Sequence, residues 1–251
     1  MAENPPDTDF DATLRDIRRS LDDLLAFEGR YFIVPEEVMV PEAAFVQVPA
    51  GASEAVFVAD VADTTDVADL ETFHQQICEC VRCPLGTTRT RFVFGSGNPT
   101  ADIMFVGEAP GQEEDRQGLP FVGAAGELLT KIIGAMKLSR EDVYICNVLK
   151  CRPPNNRDPQ PDEVASCEPY LQRQIELVQP RVICCLGRHA AHALLKTDAP
   201  LSRLRGKLHQ YQGIALVVTY HPAALLRNAD YKRAAWEDVK WVRKLHDGME
   251  L

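Results

Sequence analysis

The feature that most constrains this chain is an alternation of short apolar runs with helical patterns, which begins near Leu70. The apolar runs are rich in Val and Ile and lie at 103–107, 143–149, 182–187 and 214–220. The helical patterns lie at 128–136, 164–177, 189–195 and 235–245. Short continuous apolar runs are typical of strands buried on both faces. We therefore predict an α/β fold, a three-layer α/β/α sandwich around a central four-stranded parallel sheet.

Residues 1–69 have a different character and predict a separate extension. Apolar residues at three- and four-residue spacing predict an amphipathic helix over about 10–27. The scattered Pro, Ala, Asp and Glu that follow predict a mostly disordered acidic linker. The predicted helix either packs on the main domain, 70–251, or docks on a protein partner.

The formal charge of −10 argues against a nucleic-acid partner only if it is evenly spread. Residues 1–70 hold 16 acidic residues against 4 Arg, while the remainder holds 21 acidic and 23 basic residues. Most of the acidity therefore belongs to the extension. The main domain is close to neutral and can still bind nucleic acid.

The chain shows no apolar run of membrane-spanning length and no basic-then-apolar segment near its first residues. We expect a cytoplasmic protein that does not enter a membrane, and we expect it to be a monomer. All eight cysteines lie between 78 and 185. In a reducing compartment, metal binding or burial explains cysteines better than disulfides do.

Polar side chains follow the predicted strands where each strand ends. Glu108 follows the first strand, Asn147 lies at the end of the second, and His221 follows the fourth. The carboxyl ends of parallel strands share one edge of a sheet, where ligands bind. Each residue also has a structural explanation: Glu108 as a cap, Asn147 as a backbone partner and His221 as a satisfied histidine. Phe121 is by default a core residue, but the glycines around it allow a ligand to approach closely.

The cysteines form a second candidate site. Cys80 and Cys83 are a C-x2-C pair, which fits zinc, iron–sulfur or redox chemistry. Cys151 and Cys167 follow singly, which favours a cluster with distant ligands over a zinc ribbon. The remaining cysteines are predicted to be buried, except Cys78, which competes with Cys80 as a ligand.

Five segments, taken together, carry a resemblance to a known family. They are CVRCPL (80–85), FGSGNP (94–99), GEAPGQEEDRQGLPFVGAAGELL (107–129), ICNVLKCRPPNNRDP (145–159) and YHPAALLRN (220–228). Their sequence and order resemble the family 4 uracil-DNA glycosylases, the iron–sulfur members of the uracil-DNA glycosylase superfamily. The resemblance spans roughly Leu70 to Leu245. It implies a hydrolase of base excision repair that releases uracil from DNA and leaves an abasic site.

The resemblance also implies roles for individual residues. Cys80, Cys83, Cys151 and Cys167 are implied to bind a structural 4Fe-4S cluster. Phe121 is implied to stack on the extruded uracil, Asn147 to recognise its polar edge, and Ala109 to line the pocket floor with Glu108. We assign His221 to the departing base and Glu108 to water or pocket groups, with Glu113 or Glu114 as alternatives for Glu108. No histidine-bearing insertion separates Asn147 from Cys151, so the activity of the subgroup that crosslinks to DNA is not expected.

Basic loops are the candidates for contacts with uracil-containing DNA. The main candidates are Arg203, Arg205, Lys207 and Arg227, with Arg152 and Arg157 beside the cluster loop. Leu225 or Leu226 is predicted either to wedge into the base stack or to belong to the core. The alternative function is a non-catalytic iron–sulfur protein on the same fold that binds DNA or nucleotides.

Overall fold

A computed structural model describes residues 68–248. The helices are α1 (Leu70–Ile77), α2 (Leu85–Thr88), α3 (Gln112–Gln117), α4 (Ala124–Ala135), α5 (Pro161–Val178), α6 (Arg188–Leu195), α7 (Leu201–Leu204), α8 (Pro222–Arg227) and α9 (Tyr231–Asp247). The strands are β1 (Ser96–Gly97), β2 (Ile103–Gly107), β3 (Tyr144–Asn147), β4 (Val182–Leu186), β5 (Leu208–Tyr211) and β6 (Ile214–Thr219). The helix predicted at about 10–27 and the linker after it lie outside the described residues.

The sheet has the order β1-β3-β2-β4-β6-β5. Its four inner strands, β3, β2, β4 and β6, are parallel, which confirms the predicted four-stranded core. An antiparallel strand extends it at each edge. These edge strands were not predicted from the sequence. β1 has only two residues, and β5 (LHQY) is partly exposed and lacks the Val and Ile that mark a buried strand.

The helices form two outer layers over this sheet. Helices α4 and α9 pack on one face, against Phe105 and Ile145 among others. Helices α1, α5 and α6 pack on the other face, against Met104 and Ile183 among others. Alternate residues of β2 thus face opposite layers, and all five are buried. The predicted three-layer sandwich is confirmed.

The register of the parallel strands brings their carboxyl ends to one edge. Gly107, the last residue of β2, pairs with Asn147 of β3, and Leu186 of β4 pairs with Thr219 of β6. Gly187 follows with φ of 93°, and a Cβ there would lie 3.1 Å from the Cβ of His221. The topology therefore collects the residues after β2, β3 and β6 in one place.

Within residues 68–248, no helix combines the length and apolar character that crossing a bilayer requires.

Candidate active site

A cleft at the carboxyl edge of the sheet brings together the residues predicted from the strand ends. Its lining includes Glu108, Ala109, Phe121, Asn147, His221 and Arg227. Five of these residues come from three strand ends and from the loop between α3 and α4, and Arg227 is the last residue of α8. The predicted convergence of a carboxylate, an amide and an imidazole is present.

The loop that carries Phe121 is fixed from two sides. The Glu114 carboxylate accepts hydrogen bonds from the two backbone amides after Phe121, both at 2.9 Å. Arg140 donates to the Phe121 carbonyl at 3.0 Å and to the preceding carbonyl at 2.8 Å. These contacts hold Phe121 at φ of 52°, in the left-handed region that residues other than glycine rarely adopt. Glu114 is thus a positioning residue, while Glu113 pairs with Arg116 on the exposed side of α3.

Two glycines make room for this arrangement. A Cβ at Gly107 would lie 2.3 Å from Asn147 Oδ1 and 2.5 Å from the Phe121 ring. A Cβ at Gly126 would lie 1.9 Å from the Phe121 carbonyl oxygen. Any larger residue at either position would displace the aromatic ring or the amide. The aromatic ring and the amide can therefore stand next to each other only because both positions are glycine.

Asn147 is buried, with 1% of its surface exposed, and its side chain lines the cleft. Its Oδ1 atom has no hydrogen-bond partner among the described residues. A buried polar atom without a partner costs roughly 1–3 kcal/mol. A ligand that donates a hydrogen bond to this oxygen would remove that cost, so the cleft is suited to a ligand with an N–H or O–H group.

His221 lies beside Phe121, with the two ring centroids 5.5 Å apart. Its Nδ1 atom accepts a hydrogen bond of 3.2 Å from the amide of Ala223, which assigns the proton of a neutral ring to Nε2. Burial, with a smaller effect of Arg227, lowers the pKa of His221 to about 4. The imidazole is therefore neutral near pH 7 and serves as a hydrogen-bond donor.

Glu108 stands at the mouth of the cleft in a group of charges that the sequence did not reveal. His189 Nε2 lies 3.7 Å from the Glu108 carboxylate and 3.5 Å from that of Asp158. Burial, reinforced by Asp158, raises the pKa of Glu108 to about 7. The ligand atoms of these three residues fall within 4.8 Å of one another, a spacing that can hold a metal ion. The Arg188 guanidinium already supplies a cation there, because it donates to both Asp158 and His189.

The structure brings the cysteines that were predicted as ligands into one region. Cys83, Cys151 and Cys167 are buried in one small cluster, with Cys80 nearby, and none of the described cysteines forms a disulfide. Burial raises the pKa of Cys167 to about 11, and the charges of Cys83 and Cys80 act in the same direction. Ala109, which lines the cleft, packs against the same cluster. The thiols and the cleft are therefore neighbours.

The donor set around these thiols fits an iron–sulfur cluster. Cys80 Sγ accepts from the Arg82 amide at 3.5 Å and from the Tyr170 hydroxyl at 3.2 Å, and Cys151 Sγ accepts from Arg89 at 3.5 Å. Burial first, then neighbouring thiols, raises the pKa of Cys151 to about 12, so its thiolate needs a cationic centre.

The spacing of the sulfurs argues against a single zinc ion. Four sulfurs around one zinc stand about 3.8 Å apart. In the described part of the chain, only the group with Glu108 has three ligand atoms within 4.8 Å of one another. No three of the described thiol sulfurs are therefore grouped as closely as one zinc ion requires.

The basic residues predicted to contact DNA divide into two classes. Arg203 and Lys207 are exposed, and Arg227 lies exposed at the cleft. Arg205 is different, because its guanidinium is paired with the buried carboxylate of Asp238 at 2.7 Å and lies over the Tyr220 ring. These contacts give Arg205 a structural role. Arg157, likewise, is held by the buried Glu163.

The two leucines of α8 differ in their exposure to solvent. Leu225 is buried with 3% of its surface exposed, whereas Leu226 is 53% exposed. Leu225 therefore belongs to the core. Only Leu226 remains available as the predicted wedge.

Comparisons with known proteins agree with this geometry. The model of the uracil DNA glycosylase superfamily matches residues 94–240. The chain is similar to type-4 uracil-DNA glycosylases of Sulfurisphaera tokodaii (45% identity, covering 70% of this chain and 84% of the relative) and Archaeoglobus fulgidus (46%, covering 70% and 92%). It is also similar to the type-4 uracil-DNA glycosylase of Thermotoga maritima (44%, covering 68% and 91%).

Proposed function

Because this chain belongs to the type-4 uracil-DNA glycosylases of the uracil-DNA glycosylase superfamily, we propose that its cleft takes a uracil extruded from DNA and that the residues described above carry out the hydrolysis. The chain is a DNA N-glycosylase, a hydrolase that removes uracil in DNA repair. The observation that carries the assignment of the site is the buried, unpartnered Oδ1 of Asn147 in the cleft that Phe121 and a neutral His221 also line.

Recognition of uracil follows from the amide and the aromatic ring. Uracil presents an N3–H donor and an O4 acceptor, which the Oδ1 and Nδ2 atoms of Asn147 complement. Cytosine has no hydrogen on N3 and carries an amine at position 4, so it mismatches both atoms. Phe121 contributes stacking of roughly 1–3 kcal/mol toward the energy of unstacking the base from the duplex.

Bond cleavage develops negative charge on the departing base and positive charge on the sugar. The neutral imidazole of His221 donates from Nε2 to the base O2, where negative charge accumulates. Because the ring carries no charge, it stabilises the anionic base without protonating it. The ionised Glu108 carboxylate orients the attacking water and stabilises the cationic sugar.

The raised pKa of Glu108 predicts opposite pH trends for activity and stability. The rate of uracil release should rise with pH through about 7, as Glu108 ionises, and Glu108→Gln should remove this rise. The Glu108 carboxyl ionises near pH 4.5 in the unfolded protein but only near pH 7 in the folded protein. Its contribution to the stability of the folded state is therefore fully present below pH 4.5 and is lost as the pH rises through 7. At pH 8, Glu108→Gln should therefore be more stable than the wild type by about 2 kcal/mol.

Single-turnover rates and urea unfolding between pH 5 and 9 check both trends. At pH 5 the stabilities of the two proteins should converge. A pH-independent rate in the wild type would remove Glu108 from the reaction.

Cys80, Cys83, Cys151 and Cys167 would hold a 4Fe-4S cluster, the cofactor implied by the sequence resemblance. When bound, the cluster would cross-link the C-x2-C segment to α5 and to the loop after β3, and so fix the rear wall of the cleft. Its role in this proposal is structural. Ala109 is the point at which that wall meets the cleft.

The exposed basic residues predict how DNA affinity depends on salt. Lys207 precedes β5, which pairs antiparallel with β6, so it lies near the carboxyl edge that holds the cleft. Lys207→Ala should remove one phosphate contact and reduce the slope of log K against log salt by about 0.9.

Arg205→Ala should instead lower the melting temperature, since it leaves Asp238 buried without its partner. Fluorescence anisotropy at several salt concentrations, with thermal melts of both variants, checks this division.

The assay for the function uses the purified full chain with a single-stranded oligonucleotide that contains one uracil, followed by alkali and electrophoresis. We expect strand scission at the uracil and none in a cytosine-containing control. Absence of scission by a protein that contains iron would instead favour the non-catalytic DNA-binding alternative.

A further inference from the structure

Lys150 has an environment that the catalytic assignment does not explain. It lies between Asn147 and Cys151 in the chain, and none of its surface is exposed. Lysine is almost never fully buried unless a negative group pairs with it. Among the described residues no carboxylate forms an ion pair with Lys150, and its two side-chain hydrogen bonds go to neutral oxygens.

One of these two hydrogen bonds joins the ammonium to the main chain of Asn147, the proposed uracil-binding residue. Lys150 Nζ donates to the main-chain carbonyl of Asn147 at 2.6 Å and to Gln174 Oε1 at 2.5 Å. Gln174 in turn donates through Nε2 to the Phe94 carbonyl at 2.9 Å and to the Tyr144 hydroxyl at 3.2 Å. A buried hydrogen-bond network of this kind fixes its members in one arrangement. The main chain of Asn147 is thus held by Lys150.

Lys150 directly precedes Cys151 in the chain, and its main-chain amide donates a hydrogen bond to Cys167. Burial lowers the pKa of Lys150, and the charges of Cys146, Cys167 and Cys151 oppose that shift. Cys151 and Cys167 are two of the four proposed cluster ligands. Four thiolates on a 4Fe-4S core leave a net negative charge, which would supply the counter-ion that Lys150 lacks among the described residues.

We propose that Lys150 is a positioning residue that serves as the buried counter-ion of the iron–sulfur cluster and holds the uracil-binding Asn147 in place. The proposal rests on the cluster named under the proposed function. One side chain then connects the two sites: its charge stabilises the cluster, and its hydrogen bond stabilises the turn that carries the amide. The cluster is thereby coupled to recognition as well as to folding.

The test compares three substitutions in the full-length, iron-loaded protein. Lys150→Met removes the charge at nearly constant length. Gln174→Glu places a carboxylate beside Nζ without a change of size. Gln174→Leu removes the hydrogen bond between residue 174 and Lys150 Nζ without adding charge, and it is the matched control. Iron content, the midpoint potential of the cluster and single-turnover uracil release are measured for each.

The potential separates a charge effect from a packing effect, because reduction potentials of iron–sulfur clusters follow the local net charge. We expect Lys150→Met and Gln174→Glu to shift the midpoint potential to more negative values, and Gln174→Leu to leave it close to the wild-type value. We also expect Lys150→Met to lower the single-turnover rate about tenfold while changing DNA affinity by less than about threefold. This split is expected because Lys150 positions Asn147 and does not contact DNA.

An unchanged potential in a folded, iron-containing Lys150→Met protein would overturn the proposal. If Lys150→Met does not fold, the comparison of Gln174→Glu with Gln174→Leu decides alone, and equal potentials in those two would overturn it. Wild-type protein that binds no iron would refute the cluster itself, and the proposal with it. Wild-type protein with iron and insensitive variants would refute only the role of Lys150.

Discussion

Asn147→Ala should lower the single-turnover rate of uracil release by about 100- to 1000-fold, the range found when one oriented hydrogen-bonding group is removed from a transition state. The substitution removes the only side chain at the end of β3 that complements N3 and O4 of uracil. It also relieves the protein of a buried oxygen without a partner. We therefore expect the folded protein to lose activity but little stability, by rapid-quench kinetics and urea unfolding.

The matched control is Asn156→Ala. Asn156 also lines the cleft, but it is exposed at the mouth and binds Arg152. Its loss should change the rate by less than about threefold, because it lies away from the buried amide. Near wild-type release by Asn147→Ala would show that a different group recognises uracil.

Cys167→Ala should have the largest effect on stability. Cys167 lies on α5 within the buried thiol group, where it is the proposed ligand farthest along the chain. Without it the proposed cluster loses its anchor on α5, and a structural metal centre contributes several kcal/mol of folding free energy. We expect iron to fall from about four atoms per chain to near zero, and the melting temperature to fall by at least about 10 °C.

Cys78→Ala provides the control for that experiment and also tests which cysteine is the ligand. The Cys78 thiol donates to the Gln75 carbonyl at the end of α1, whereas Cys80 Sγ receives two hydrogen bonds. Iron content and melting temperature should stay at wild-type values in Cys78→Ala. Full iron retention by Cys167→Ala would remove that residue from the ligand set.

The parallel core of the fold was predictable because buried strands carry a strong signal. Runs such as Ile103–Gly107 are continuous and apolar, and the structure places strands at all four. The edge strand Leu208–Tyr211 carries no comparable signal, since it is half exposed and its pairing depends on β6. Edge strands are specified by their neighbours more than by their own residues.

The candidate site was predictable only in part. Glu108, Asn147 and His221 stand at strand ends, so the topology alone brings them together. His189 and Asp158 come from a helix start and a loop, and their contact with Glu108 depends on side-chain positions that no spacing reveals. The pairing of Arg205 with Asp238 could not be predicted from the sequence either, because the two residues lie 33 positions apart.

The double bracing of the Phe121 loop bears on how the base is captured. With Glu114 and Arg140 holding opposite sides of the loop, the pocket is already formed before DNA arrives. A preformed pocket traps a nucleotide that has left the helix but does little to drive it out. The cost of opening then falls on the DNA, and it is smallest where uracil is mispaired or unpaired. The rigidity of this loop would thus make the enzyme faster on mispaired or unpaired uracil than on uracil paired with adenine.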